Sequence, residues 1–584
     1  MREHDVQQMS VPTSPRASIT SRDTTPQGDQ NPTKESQTRL VPLEIDEASV
    51  SASGEHNGHQ AEIKAAQEYP SSWRFAAIMV GLSLSITLVS LDNTILATAI
   101  PRITAQFDSL DDVGWYGSAF LLTTCSVSLL YGKLYTFFPV KWVYMCALGI
   151  FEAGSLICGA TPSSIGLIIG RAVAGIGAGG LSSGALLIIA ENRPMHQRPV
   201  YNGIVTGLYS VAGVAGPLIG GALTDNTTWR WCFYINLPLG GVTAFVNLVF
   251  LKSKKPVKTI SGVKETFWQM DPIGMLFFLP SMICLLLALQ WGGSKYPWSD
   301  ARVIALFAIF GVLFLTFVAV QIYEQDRATI PPRLFSNRNI WGASLYALGL
   351  GGSFMVFTYY LPIWFQAIKN ASATMSGVLN LPMLGVIAFC TVLSGFLVTV
   401  FGHYMPFMLA GPVLTSIGAG LLTTLTPSSP RASYLGYQVL YGMGCGVGLM
   451  QPILAVQARV ERAADAPSAT VIVMFMQTLG GALFVSVAQN LFHNRLLTLL
   501  RGVQGVDVGR VVDAGAAGFR DVVDAEVLGI VLERYSSAIT YSFYAALALG
   551  LVAILGVLPM QWIPLNRKVG MGKGEGDRAS EVAS

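Results

Sequence analysis

Apolar stretches long enough to cross a bilayer recur along this chain. In hydrocarbon such a stretch must satisfy its own backbone hydrogen bonds, so each one is constrained to be a helix. Windows able to span roughly 30 Å of hydrocarbon place helices near 75–97, 113–134, 141–160, 165–190, 201–223, 231–251, 272–290, 301–322, 340–365, 376–399, 405–424, 433–455, 467–490 and 537–561, about fourteen in all. With 584 residues, 52% hydrophobic and 12% charged, and a mean hydropathy of +0.51, the chain reads as an all-α polytopic membrane protein. The net charge of +3 is small and gives no reason to expect a nucleic-acid partner. Cys125, Cys146, Cys158, Cys232, Cys284, Cys390 and Cys445 lie in or beside apolar spans without close pairing, and read as small hydrophobes.

The spans divide the chain. Residues 1–70 are rich in Ser, Thr, Pro, Gln and Glu with no apolar run, which predicts a disordered cytosolic tail and no cleavable signal peptide. Its Ser14-Pro15 and Thr25-Pro26 pairs are possible phosphorylation sites of a kind common in such tails. Then follow a six-helix half over 71–251, a basic loop and two further helices over 252–339, a second six-helix half over 340–562 and a cytosolic tail over 563–584. Lys133 and Lys141, Arg193 and Arg198, the lysines Lys252, Lys254, Lys255, Lys258 and Lys264, then Arg327, Arg333 and Arg338, and Arg459 and Arg462 fall on one side when spans alternate. That side is expected to be cytosolic, with both termini. The sequons at Asn226 and Asn370 then lie outside as glycosylation candidates. Trp73, Trp115, Trp142, Trp229, Trp231, Trp341, Trp364 and Trp562 sit near expected helix ends, as an interfacial belt would. A loop over about 495–535 is expected to be external, with residues 521–535 forming a short amphipathic helix.

The fifth span, Tyr201 to Asp225, carries the pattern G-x5-G-x2-G-P-x2-G-G through Gly207, Gly213, Gly216, Pro217, Gly220 and Gly221. Gly213, Gly216 and Gly220 fall on one face and permit close approach of a second backbone, while Pro217 removes an amide donor and should bend the helix. On spacing alone this is equally a tight helix contact with no mechanistic role. The pattern resembles the fifth-helix antiporter motif of the major facilitator superfamily. Other segments share that resemblance. Leu91, Asp92, Thr94, Ile95, Ala99 and Pro101 resemble the first-helix signature of the fourteen-span drug:proton antiporter branch. Arg171 and the glycines after it resemble its fourth-helix motif, with Ala174 where the family has glutamine, and WRWCFYINLPLGG resembles its approach to span six. The gating loop between spans two and three departs from the family: Gly132, Leu134 and Lys141 match, but Thr136, Phe137 and Pro139 replace the expected Asp, Arg and Gly.

The resemblance implies a fold of two six-helix halves plus two extra central helices, and the function of a fungal exporter of lipophilic secondary metabolites, toxins or drugs by proton antiport. A proton gradient would drive it, no cofactor would be needed, and a monomer in the plasma membrane is expected, with the vacuolar membrane as the alternative. Within that frame the intramembrane charges draw notice, because each is costly in hydrocarbon unless paired or neutralised. Asp92 either caps the interface or faces a wet cavity. Glu152, in mid-span three, is a candidate for proton exchange. Arg171 either pairs with Asp92 or Glu152 or extends to the headgroups. Asn236 lines the cavity or packs. Spans seven and eight hold no interior charge and read as poor material for a pathway, with Asp271-Pro272 capping span seven. The second half offers neutral polar groups, Asn380, Gln438, Gln451, Gln477, Gln489 and Asn490, among aromatics such as Tyr360. From these, Tyr360, Gln438 and Gln477 join Asn236 as candidate cavity residues. Other cargoes on the same scaffold, a siderophore or an amino acid, or a ligand sensor that moves nothing, remain open. An enzyme fits poorly: His4, His56, His59, His196, His403 and His493 lie in tails and loops, and no G-x4-G-K-[ST] phosphate loop is present.

Overall fold

The computed structural model describes residues 69–565 except 108, 110–111, 257–261, 294–295, 461, 463–464 and 563. The expected N-terminal tail, Lys258 and nearly all of the expected C-terminal tail lie outside the described residues. Fourteen long helices carry the fold: α1 Ser72–Phe107, α2 Val113–Phe137, α3 Val140–Ala160, α4 Ser164–Asn192, α5 Arg198–Asn226, α6 Asn236–Phe250, α7 Pro272–Trp291, α8 Ala301–Glu324, α9 Arg338–Lys369, α10 Ala373–Phe401, α11 Met405–Thr423, α12 Arg431–Gly448, α13 Ala466–Leu500 and α14 Ala525–Val557. One turn, Trp231–Tyr234, leads into α6, and α12 continues after a break as Gln451–Arg459. Among the described residues, thirteen helices are long and apolar enough to cross a membrane. The fourteenth, α2, is 25 residues long with Lys133 as its one charged residue, and its hydroxyls return hydrogen bonds to its own backbone, as Thr124 does to Phe120 O at 2.7 Å and Ser128 to Thr124 O at 2.5 Å.

Helix pairing in the first half recurs in the second. α1 packs on α5 and α6, α2 on α4, and α3 on α4 and α6; in the second half α9 packs on α13 and α14, α10 on α12, and α11 on α12 and α14. The repeat is carried by small residues, not by matching sequence. A Cβ at Gly154 of α3 would lie 2.6 Å from the Cα of Ala174 on α4, and one at Gly418 of α11 would lie 2.6 Å from the Cα of Tyr441 on α12. Both contacts exist only because backbones meet there directly. The halves join along two seams, α5 with α10 and α2 with α13.

The two extra helices sit outside this plan. α7 wedges onto the α2–α13 seam, with Phe278 against Phe475 at 5.5 Å between ring centres, and α8 packs on α7. Only Val303, Phe317 and Gln321 of α8 are buried. Asp271 fixes the base of the hairpin. Its left-handed backbone (φ 57°) is an unfavourable conformation for this residue type, offset by bonds its carboxylate accepts from Gly274 N, Gln321 Nε2, Thr329 N and Thr329 Oγ1 at 2.7–2.8 Å.

Loops expected on the basic side do meet at one end. Lys133 Nζ donates to Arg327 O at 2.9 Å, Lys254 Nζ donates to Glu191 O at 2.5 Å, and Arg333 clasps Asp465 at 2.9 and 3.2 Å. Desolvation lowers the ammonium pKa of Lys254, which lies outside the spans.

Two expectations need correction. The external loop is shorter than 495–535, because α13 runs on to Leu500 and α14 starts at Ala525. Between them lies a helix, Val508–Val522, kinked at Gly515 (φ 64°) and held by Arg520, which donates to Ala367 O and Ile368 O, and by Phe519 stacked on Tyr535 at 4.6 Å. Residues 521–535 therefore divide between that helix and the first turns of α14, since hydropathy windows end before helices that project past the hydrocarbon. Trp364 is fully buried, not interfacial, and its indole donates to Ser536 Oγ at 3.0 Å. Pro217 lies inside α5, which continues as a helix on both sides of it.

Candidate functional site

The buried charges of the first half come together. Arg171 Nη1 of α4 lies 2.5 Å from Asp92 Oδ2 of α1, and both side chains are wholly buried. Burial of each ion costs several kcal/mol, so the pair persists only with further bonds. Asn236 Nδ2 of α6 donates to Asp92 Oδ1 at 3.2 Å and to Ser155 Oγ of α3 at 3.0 Å. Arg171 Nε donates to Tyr116 O at 2.8 Å, and the guanidinium lies 4.5 Å from the Phe120 ring centre. Arg171 thus pairs with Asp92 and does not reach the headgroups. Asn236 belongs to this cluster and not to a cavity wall, which corrects its expected place.

Glu152 is different. Neither carboxyl oxygen has a hydrogen-bond partner, although both are shut away from solvent. It stands three residues before Ser155 on α3, and Gly240 stands four residues after Asn236 on α6, so both lie one helical turn from the ion pair. Gly240 makes room for it: any Cβ there would fall on the Glu152 carboxyl group. The sequence reading passed over Gly240, whose only signal was its place in the Gly-Gly step after Pro238.

The glycine-rich span packs behind the same stretch of α1. A Cβ at Gly216 would meet Ile95 N at 3.0 Å, one at Gly220 would meet Ile95 O at 2.6 Å, and Gly213 faces Ser90 Oγ at a looser 3.5 Å. These residues hold the segment that carries Asp92. Gly207 serves the other seam, against Ala388 and Val392 of α10, and Gly221 has open space beside it.

In front of α1 lie two connected cavities. A chamber of about 170 Å³ occupies the middle of the bundle between the halves, lined by Asn93, Tyr209, Met355, Met450, Met474 and Gln477 among others. A vestibule of about 640 Å³ continues from it toward the end opposite the basic loops, with Trp115, Tyr359, Tyr360 and Gln489 on its walls. Tyr360 and Gln477 therefore line the cavities as expected. Gln438 does not; it is fully buried and donates to Tyr434 O of its own helix at 3.0 Å. The vestibule also has a wall from α7, with Leu286, Gln290 and Trp291, so span seven, unlike span eight, adjoins the cavity. Gln290 Nε2 donates to Ser118 Oγ of α2 at 2.6 Å, and Trp291 packs edge-on to Trp115. Hydropathy registers the mean apolarity of α7 but not which of its faces meets a cavity.

At the basic end the halves are in close contact. A Cβ at Gly203 would meet Thr391 O at 2.8 Å, one at Gly395 would come within 2.9 Å of the Pro199 carbonyl carbon, and one at Gly132 would lie 3.2 Å from Val471 Cβ. The cavities thus open away from the basic loops and are closed toward them. Asn226, the last residue of α5, and Asn370, the C-cap of α9, are exposed at the open end.

Residues 82–485 match the sequence pattern of a family described as the Major Facilitator Superfamily. The chain is 54% identical over 500 residues to the "MFS-type transporter astH" of Aspergillus oryzae, covering 85% of this chain and 88% of that protein. It is 51% identical over 493 residues to the "Efflux pump roqT" of Penicillium rubens, covering 84% and 91%. Among solved structures it resembles the proton:xylose symporter XylE bound to 6-bromo-6-deoxy-D-glucose, with a TM-score of 0.54, 15% identity, and coverage of 83% of this chain and 95% of that one. At that identity the likeness speaks for the fold alone.

Proposed function

Because the chain belongs to the Major Facilitator Superfamily, we propose that it is a secondary active carrier that exports lipophilic small molecules in exchange for protons; that relatives are named efflux pumps supports the export. The observation that carries the coupling is the burial of an Asp92–Arg171 pair one helical turn from an unpartnered Glu152, directly behind the helix that walls the cavity. A carrier that trades cargo for protons needs the binding of one to alter the binding of the other. α1 supplies the link: movement of its cavity face displaces Asp92 against Arg171, and the field at Glu152 changes with it.

In this reading the basic end and both termini are cytosolic, and the structure corresponds to the state that has released cargo outward. Protons would load at Glu152 in this state and leave when the halves part at the glycine-lined cytosolic seam. The carrier works as a monomer in the plasma membrane, uses no cofactor and catalyses no chemical step. Cargo is apolar and uncharged, since no Asp, Glu, Lys or Arg is among the residues lining either cavity.

The test is accumulation of fluorescent lipophilic compounds and fungal toxins in a pump-deficient yeast, with and without the protein and with and without a protonophore. Accumulation should fall with the protein and recover with the protonophore. Asp92→Asn and Glu152→Gln should each reduce efflux at least about tenfold at normal surface expression, the size expected when a positioned proton-transfer group is lost. Full efflux by both variants would end the coupling assignment.

A further inference from the structure

At the basic end of the molecule, away from the cargo cavities, a hollow of about 420 Å³ lies between the start of α9, the segment joining the α12 continuation to α13, and the residues after α14. Four arginines line it, Arg333, Arg338, Arg459 and Arg462, with one carboxylate, Asp465. That carboxylate is already occupied, since Arg333 donates to both of its oxygens at 2.9 and 3.2 Å. Arg338 has a neutral partner, the side-chain amide of Gln561. Among the described residues, Arg338, Arg459 and Arg462 make no ion pair. Other cations at this end are held by the protein itself: Lys254 bonds Glu191 O, and Arg193 stacks on the Phe75 ring at 4.0 Å.

Three such guanidinium groups around one hollow repel each other, and an anion between them removes that cost. The place of Arg338 adds to the field. It is the first residue of α9, where the helix dipole is positive and ordinarily disfavours a cation. The surroundings give the hollow its depth in the membrane. Phe335, Trp341 and Trp562 each directly follow a lining residue in the chain, and all three are exposed. Exposed tryptophans at helix ends belong to the headgroup layer.

We propose that this hollow binds the phosphate of an anionic phospholipid headgroup, in the leaflet on the basic side. Guanidinium forks match phosphate oxygens in pairs, and basic pockets between membrane helices are a known form of headgroup site. A choline headgroup brings its own cation and is disfavoured by the same charges. The site is independent of cargo and of the buried charges at Asp92 and Glu152. An occupant would join the start of α9 to the ends of α12 and α14, and so stabilise the second half at its basic end.

The experiment measures binding of a fluorescent phosphatidylinositol to the full-length protein in detergent, and thermal unfolding of the same protein in nanodiscs of phosphatidylcholine with or without phosphatidylinositol. The labelled lipid should bind saturably, and Arg459→Gln with Arg462→Gln should weaken binding about tenfold or more. Lys252→Gln with Lys255→Gln removes the same charge from exposed positions outside the hollow and should change binding less than about twofold. Arg459→Lys with Arg462→Lys keeps the charge without the fork and should retain part of the binding. In nanodiscs phosphatidylinositol should raise the unfolding temperature of the unaltered protein but not of the glutamine variant at Arg459 and Arg462. That variant should unfold like the unaltered protein in phosphatidylcholine alone, which checks its folding. Binding that does not saturate, or equal losses in the arginine and lysine variants, overturns the proposal. So does stabilisation by inorganic phosphate in phosphatidylcholine discs that equals the lipid's and is lost with the arginines, because the hollow would then belong to a soluble phosphate.

Discussion

Inside the first half, polar side chains bond across helices and carry charge: Asp92 to Arg171 and Asn236, and Arg171 to the carbonyl of Tyr116. Inside the second half Gln438 and Gln451 bond to their own helices, at Tyr434 O and Val447 O, and links between helices such as Ser353 to Tyr441 at 3.0 Å and Gln366 to Ser376 at 3.1 Å are neutral. The same helix plan is thus built once around an ion pair and once around hydroxyls, amides and aromatic packing. A network with charge changes its geometry when a proton arrives, whereas a neutral one does not. In the proposed reading, switching therefore belongs to the first half and support to the second.

The comparison breaks most severely at Arg171. Replacing it by Leu leaves the Asp92 carboxylate buried without a counter-charge, and thermal unfolding of the purified protein in nanodiscs should show a loss of about 3–5 kcal/mol. The double variant Arg171→Leu with Asp92→Leu should regain most of that stability and none of the efflux. If Arg171→Leu alone were as stable as the unaltered protein, the pair would not hold the half together.

A smaller effect is expected at Gly240. Gly240→Ala pushes a methyl group into the Glu152 carboxyl and should cost about 1–3 kcal/mol, with efflux falling, and stability but not efflux should partly recover when Glu152→Ala is added. Gly241, which has open space beside it, is the control: Gly241→Ala should change neither stability nor efflux. Equal losses at both positions would mean that glycine content, not the fit against Glu152, matters here.

The smallest effect belongs to the second half. Gln438→Leu removes an amide whose Nε2 donates only to its own helix and whose Oε1 has no partner at all, so stability should move by less than about 1 kcal/mol and efflux should hold. A collapse of proton-dependent efflux in this variant would erase the contrast between the halves.

Much of this was legible in the sequence, and for identifiable reasons. Hydropathy and length suffice to find the long helices, because hydrocarbon leaves so few alternatives. The cost of an intramembrane charge singles out Asp92, Glu152 and Arg171, and the rarity of cations in such helices makes pairing with one of the acids the natural expectation. Which acid was chosen depended on Asn236, Ser155 and Gly240 arriving from α3 and α6, and no spacing within one helix reveals that. Facing was the harder problem. A span that is apolar all round carries no amphipathic signal, so Asp92 and Asn93 could not be told apart as back and front of α1, nor Gln438 as packed and Gln477 as exposed to the cavity. The same blindness hid the contact of α7 with the vestibule.

α7 also has a kinematic meaning. It touches α2 through Gln290 and Ser118, and α13 through Phe278 and Phe475, so it adjoins both halves while belonging to neither. A rod in contact with two bodies cannot travel with both when they rotate apart. In a cycle that parts the halves, one of its two interfaces would have to slide or re-form, which would make the hairpin a third moving part.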